Sequence, residues 1–259
     1  MSKITLPDSF PNLPASVQKI QKMFASGNLD VPTLVRLLEQ EPLLSANILK
    51  LVNSPYYGLH LKVSSIKNAV ALLGTTVIRG IVMATVLKKS FPLDLSPYKI
   101  SIEQFDAICI ARMKLLQEWH IDKNLDFATL SSAAFLMESG KIVTSNEILK
   151  NGFLDIFLQL CNNSTLLEAE KALFDKSSYE IASLLFREWG FDDAFIELIS
   201  NIANPLTTQD KILHIVATAI NSKGILEDTN IQAATELLYK YELDLQRFAQ
   251  ALKKIEIEI

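Results

Sequence analysis

The residues best suited to metal or nucleophile chemistry in this chain are three histidines, His60, His120 and His214, and two cysteines, Cys109 and Cys161. A two-histidine metal site on one helix needs imidazoles at i, i+3 or i, i+4, and no pair here has that spacing. His60, in the loop Gly58-Leu-His-Leu-Lys62, reads as a solvated or packing residue. His120 closes a helix, where an imidazolium meets the negative end of the dipole. His214 sits among Ile212, Leu213, Ile215 and Val216 and is expected to be hydrogen-bonded and partly buried. Both cysteines lie in apolar contexts without CxxC spacing, as core thiols of a reduced protein do. The nucleophile elbow GxSxG, the phosphate loop GxxxxGK[ST] and the dinucleotide loop GxGxxG are all missing.

The elements that would position any site are helical nearly everywhere. After Pro14, Val17, Ile20, Met23 and Phe24 recur at helical spacing. Asp30 can cap a second helix with Pro32 in its first turn, and Leu43, Leu44, Ile48, Leu49 and Val52 mark a third. Ser64 or Ser65 can open a short fourth helix that stops at Gly74, and Thr75 introduces a fifth with Val77, Ile78, Ile81, Val82, Val86 and Leu87.

The two-proline stretch Phe91 to Ile100 is the best candidate boundary. Beyond it, Ser101-Ile-Glu-Gln104 reads as a capping box for a helix ending near His120, and Asp126 caps one running to about Ser139. Residues 146–176 suggest two or three short helices. Ser177-Ser-Tyr-Glu180 is a second capping box for a helix closed by Gly190. Further helices are expected at Asp193–Asn201, Gln209–Asn221, Ile231–Tyr241 and from Leu245 onward, with Lys254 to Ile259 either a strand or a frayed helix end.

The class is all-α: a two-lobed helical domain with a five-helix bundle over residues 1–95 packed on a bundle over residues 96–259. With 49% hydrophobic and 21% charged residues, the chain can bury a substantial core. A net charge of −4 gives no general attraction to nucleic acid or anionic membrane, leaving only a local basic face around Lys62, Lys67, Arg79, Lys88 and Lys89. No run of about 18 uncharged apolar residues is found. The longest candidate, Ile100 to Leu116, is interrupted by Glu103, Asp106, Arg112 and Lys114. A cytoplasmic protein without membrane insertion is expected.

One string is far more specific than the periodicity. Asn53-Ser-Pro-Tyr-Tyr-Gly58 ends the third helix at a proline and offers Gly58 for a positive φ. Ser65-Ile66 and Ala69-Val70-Ala71-Leu72-Leu73-Gly74 follow. Together they resemble the signature N-S-x-x-[FY]-G, then S-I-x-x-A-V-x-x-L-G, of the HDOD family, bacterial signalling domains related to HD phosphohydrolases but generally without their activity. The resemblance includes Leu13-Pro14 and Glu41-Pro42, where the family usually has Asp-Pro, and continues more weakly to about Pro205. An extra helical segment follows from about residue 207.

The resemblance implies a degenerate HD fold in the second lobe. An HD enzyme places a His on one helix and a His-Asp pair on the next, and this chain has no His-Asp dipeptide. Ala134-Phe-Leu-Met-Glu-Ser-Gly-Lys-Ile142 looks like the altered form of that segment, with Met137 in the place of the His and Glu138 in the place of the Asp. A thioether does not replace imidazole for hard divalent ions. A minimal carboxylate site from Asp106 and Glu138, aided by Glu180 or Asp193, is the remaining route to a metal.

The expectation is thus a non-catalytic signal-transduction or regulatory protein, with no metal or cofactor, that contacts unidentified signalling proteins. The alternatives are an HD-type phosphohydrolase with non-standard ligands, and a nucleotide- or nucleic-acid-binding regulator. Nucleic acid is disfavoured by charge. The candidate interaction surface is the turn of Asn53, Ser54, Tyr56, Tyr57 and Gly58, with a groove between the lobes; two adjacent tyrosines are more aromatic than a tight turn needs.

Overall fold

A computed structural model describes residues 3–27, 29–53, 62–119, 125–221 and 227–255, and every regular element among them is helical. The first half carries α1 (Ala15–Ala25), α2 (Val31–Glu39), α3 (Pro42–Val52) and α4 (Ile66–Ser90). It is followed by α5 (Ile102–Trp119), α6 (Phe127–Leu136), α7 (Ser139–Lys150), α8 (Leu154–Asn163) and α9 (Leu166–Phe174). The chain then adds α10 (Ser178–Glu188), α11 (Asp193–Ser200), α12 (Thr208–Ala219), α13 (Asp228–Lys240) and α14 (Leu245–Lys253).

The starts of these helices follow local chemistry. Asp30 accepts from the Thr33 N–H at 2.9 Å, and Ser65, rather than Ser64, accepts from the Asn68 N–H at 3.2 Å. Ser101 and Gln104 form a reciprocal pair, with the Ser101 N–H donating to Gln104 Oε1 at 2.8 Å and the Gln104 N–H to Ser101 Oγ at 3.2 Å. Ser177 with Glu180 repeats the device on α10, as do Thr165 with Glu168 and Thr207 with Asp210. Gly190, at φ 73°, ends α10. At Gly74 the backbone leaves the helical region (φ 77°, ψ 162°), so α4 is two helices joined at a kink.

The break after Leu136 and the identity of the most apolar helix differ from the sequence reading, whereas the short helices of residues 146–176 agree with it. The helix from Asp126 ends at Leu136, and α7 begins at Ser139 after a turn at Met137 and Glu138. Residues 146–176 hold the end of α7 together with α8 and α9. The most apolar long helix is α4, not Ile100 to Leu116; α4 meets the length and composition of a membrane-crossing helix, yet most of it is buried within this fold. It packs on α2, α3 and α6.

Buried side chains form one continuous core from Ile4 to Ile255. Residues 4–11 are tied to α9 and to the end of α10: the Ile4 N–H donates to the Leu173 carbonyl at 2.8 Å, and Trp189 Nε1 donates to the Pro11 carbonyl at 2.9 Å. Arg79 of α4 is not on a solvated basic face, as the sequence suggested. It is largely buried, its guanidinium 4.1 Å from the Phe191 ring centre and 5.0 Å from that of Phe24, with Nε donating to Gln21 Oε1 at 3.0 Å. Burial lowers its pKa to about 10 despite Asp192 nearby.

The closest helix contact is between α7 and α10. A Cβ built on Gly140 would lie 1.8 Å from the Ser178 carbonyl oxygen, a backbone atom that cannot move aside alone. Gly140→Ala is therefore expected to destabilise the protein by about 3 kcal/mol, the upper range for overpacking a core, as read by urea unfolding. A loss within experimental error would mean that the two helices separate freely.

Candidate functional site

The turn between α6 and α7 presents Met137 and Glu138, both fully buried. Glu138 Oε1 accepts from Arg112 Nη1 of α5, and its Oε2 accepts from Lys141 Nζ one turn further along α7. All three charged groups are buried. The remaining guanidinium donors of Arg112 reach the end of α12, with Nε and Nη2 donating to the Ile220 carbonyl at 3.0 and 2.7 Å. Burial opposes ionisation of Glu138, but the Arg112 and Lys141 charges override it and hold the pKa at about 2. The carboxylate is therefore ionised, with each oxygen bound to a cation.

A second buried carboxyl lies beyond Lys141. Glu170 of α9 accepts from the Ser178 N–H at 2.7 Å, at the start of α10, and from the Tyr98 hydroxyl at 3.0 Å. The Lys141 ammonium sits 5.5 Å from the centre of the Tyr98 ring. Burial raises the Glu170 pKa, against the Lys141 charge and both hydrogen bonds. A cavity of about 250 Å³ opens onto this network beside Arg112, Lys141, Glu170 and Tyr179.

Two of the acids expected to assist Glu138, Asp106 and Glu180, are engaged elsewhere. Asp106 pairs with Lys88 of α4, so the α5 residue facing Glu138 is Arg112. Glu180 Oε2 accepts from the Ser177 N–H and hydroxyl at 2.7 and 2.8 Å, and Asp193 lies in the first turn of α11. Among the described residues, no group of three His, Cys, Asp or Glu side chains could hold a metal ion. His214 Nδ1 lies 2.7 Å from the Ile202 carbonyl, and burial lowers its pKa. Cys109 is fully buried, which pushes its thiol pKa up, and burial raises half-buried Cys161 as well. His60 and His120 lie outside the described residues.

Of the candidate turn, Ser54, Tyr56, Tyr57 and Gly58 also lie outside the described residues, and Asn53 lies at its base. The Asn53 amide donates from Nδ2 to the Leu49 and Val63 carbonyls, each at 2.7 Å, while its Oδ1 accepts from the Val63 N–H at 2.7 Å. One side chain thus joins the end of α3 to the strand of backbone that returns to α4. A groove of about 460 Å³ lies between α3 and α4 on one side and α5 on the other, with Phe135 of α6 at its base.

Arg112 is the important residue that sequence reasoning missed, because it was read only as an interruption in an apolar run. Its neighbours Ile108, Cys109, Ile110, Ala111, Met113, Leu115 and Leu116 were the available signal. A single charge surrounded by that much hydrocarbon requires a buried partner.

The geometry defines an all-helical domain in which a buried carboxylate, at the turn between α6 and α7, is paired with two cations. The HDOD domain model matches residues 10–205, and the chain belongs to the HDOD family. No curated protein matches the sequence significantly. Among solved structures, a Shewanella amazonensis protein provisionally named a phosphohydrolase is similar at TM-score 0.70 and 18% identity, over 95% of this chain and 90% of that one. An HDOD domain protein with unknown function from Geobacter sulfurreducens gives TM-score 0.64 and 17% identity, over 96% and 86%. A Marinobacter aquaeolei protein provisionally named for signal transduction gives TM-score 0.71 and 20% identity, over 95% of this chain but 57% of that one. At these identities the likeness shows the fold.

Glu138→Gln should cost about 3–5 kcal/mol at pH 7, because it leaves Arg112 and Lys141 buried without their counter-charge. The folded pKa lies below the ordinary 4.5, so the carboxylate contributes fully above about pH 4.5 and loses its contribution as pH falls toward 2. The stability gap between wild type and variant should close over that window in denaturant titrations. A gap independent of pH would mean that Glu138 is not ionised in the folded protein.

Proposed function

We propose that this chain is a non-catalytic bacterial signal-transduction or regulatory protein that works in the cytoplasm through protein–protein contact. The observation that carries the reading is the Arg112–Glu138–Lys141 cluster. Two protein cations occupy both oxygens of the carboxylate at the position where a metal centre would need free oxygen and imidazole donors. Family membership supports the signalling role. The names of some structural relatives suggest phosphohydrolysis, and the alternative is an HD-type hydrolase with non-standard ligands. A nucleic-acid role has less support, since Arg79 is buried and Lys88 is paired with Asp106.

Purified protein is expected to carry no stoichiometric transition metal and to leave phosphomonoesters and phosphodiesters intact. Near one Zn, Mn or Fe per chain by elemental analysis, lost on Glu138→Gln, would favour the hydrolase.

The contact surface in this reading is the turn built on Asn53, whose two tyrosines can serve as anchors. Tyr56→Ala/Tyr57→Ala, confirmed as folded by circular dichroism, should weaken capture of the native partner by about 1–2 kcal/mol or more. Full capture by the folded double variant would reduce the turn to architecture.

A further inference from the structure

The groove beside α3 is lined in a way that the contact surface alone does not require. Its floor is hydrocarbon: Leu51, Ile81, Ile110 and Phe135. Ala84 of α4 and Ala107 of α5 also line it, and their small side chains leave space that Leu or Phe would fill. Leu93 keeps 38% of its surface exposed in this concave position. The volume of about 460 Å³ lies within the ~300–1,000 Å³ typical of small-ligand sites.

The charge at the mouth is not balanced. Lys50, Lys88 and Lys89 face Glu103 and Asp106. Lys88 is committed to Asp106, whereas neither Lys50 nor Lys89 makes an ion pair with another described residue. Glu103 is fully solvent-exposed, and its pKa is lowered by hydrogen bonding at the helix start, with Lys50 and Lys88 contributing less. One positive charge is thus left over at the opening of an apolar hole. A neutral hydrocarbon would not use that charge, and a cation would be repelled by it.

We propose that the groove binds a small amphiphile with a hydrocarbon body and a single anionic head, such as an aliphatic carboxylate. The chain lies on the Leu51–Ile81–Ile110–Phe135 floor between Ala84 and Ala107, and the head sits among the lysines. The site is separate from the Arg112–Glu138–Lys141 cluster. It shares α3 with the Asn53 turn, so ligand and partner would act on one helix. The inference adds a ligand to the regulatory reading, and its test needs no partner protein.

Calorimetric titration of the full chain with octanoate, decanoate and dodecanoate below their micelle concentrations reads the proposal directly. Binding should be saturable at one per chain and strengthen by about fourfold per added methylene until the groove is full. Ala107→Phe should weaken dodecanoate binding by at least ~10-fold by filling the space, and Ala84→Leu serves the same purpose if that variant fails to fold. Lys89→Glu should weaken it by roughly 3–10-fold at low salt and less at high salt. Dodecyltrimethylammonium should bind more weakly than dodecanoate to the wild type. Non-saturable binding, or affinity indifferent to the groove-filling variants, would overturn the proposal, and tighter binding of the cationic amphiphile would overturn the choice of head group. Any of these results leaves the tyrosine experiment unaffected, because that one measures partner capture alone.

Discussion

A carboxylate that must satisfy two buried cations constrains the centre of this fold. Removing three charges from water costs several kcal/mol each, and mutual attraction offsets that cost only when the geometry is complete. Glu138 meets the requirement because it lies at the turn between α6 and α7, Arg112 reaches it from α5, and Lys141 follows one turn along α7. Arg112 also holds the end of α12 through the Ile220 carbonyl. Four helices are therefore positioned relative to one charge, and displacement of any of them leaves a buried ion without its partner.

The neighbouring contacts follow from that arrangement. Lys141 sits 5.5 Å from the centre of the Tyr98 ring, and the neighbouring Gly140 lets α7 approach the backbone of α10. The same approach brings the start of α10 to Glu170, whose carboxyl receives the Ser178 N–H. Here a helix N-terminus and a buried acid satisfy each other, one of the few ways in which a carboxyl can remain in a core. In this chain the side chains of Arg112 and Lys141 supply the positive charge beside Glu138.

Much of the architecture was legible in the sequence because it is locally determined. The helix starts at Asp30, Ser65, Ser101, Asp126 and Ser177 rest on side-chain oxygens three residues from the N–H groups they accept, and the break at Gly74 rests on the absence of a Cβ. The boundary at Ser139 was not legible, because two helices separated by a two-residue turn leave no break in apolar periodicity. For the site, Met137 and Glu138 were singled out by their place in the segment that resembles the family's His-Asp pattern. The contact with Arg112 was not legible, since Arg112 and Glu138 are 26 positions apart and their pairing depends on how α5 packs on α6. Arg79 illustrates the same limit: its type suggested solvent, whereas the aromatic slot made by Phe24 and Phe191 exists only in three dimensions.

The attachment of Ile4 and Pro11 to residues of α9 and the end of α10 sets an order of events during synthesis. Ile4 and Pro11 find their hydrogen-bond partners at Leu173 and Trp189. A ribosome adding about 5–20 residues per second reaches those partners roughly 10–40 s after Ile4 and Pro11 have been added. Throughout that interval Ile4, Phe10 and Leu13, all buried in the finished protein, have no completed surface on which to settle. The helices that follow can form locally in microseconds, so residues 4–13 must wait beside them with their apolar side chains unburied. Residues 4–13 are thus made well before the surface that buries them, and they settle only behind residues translated after them.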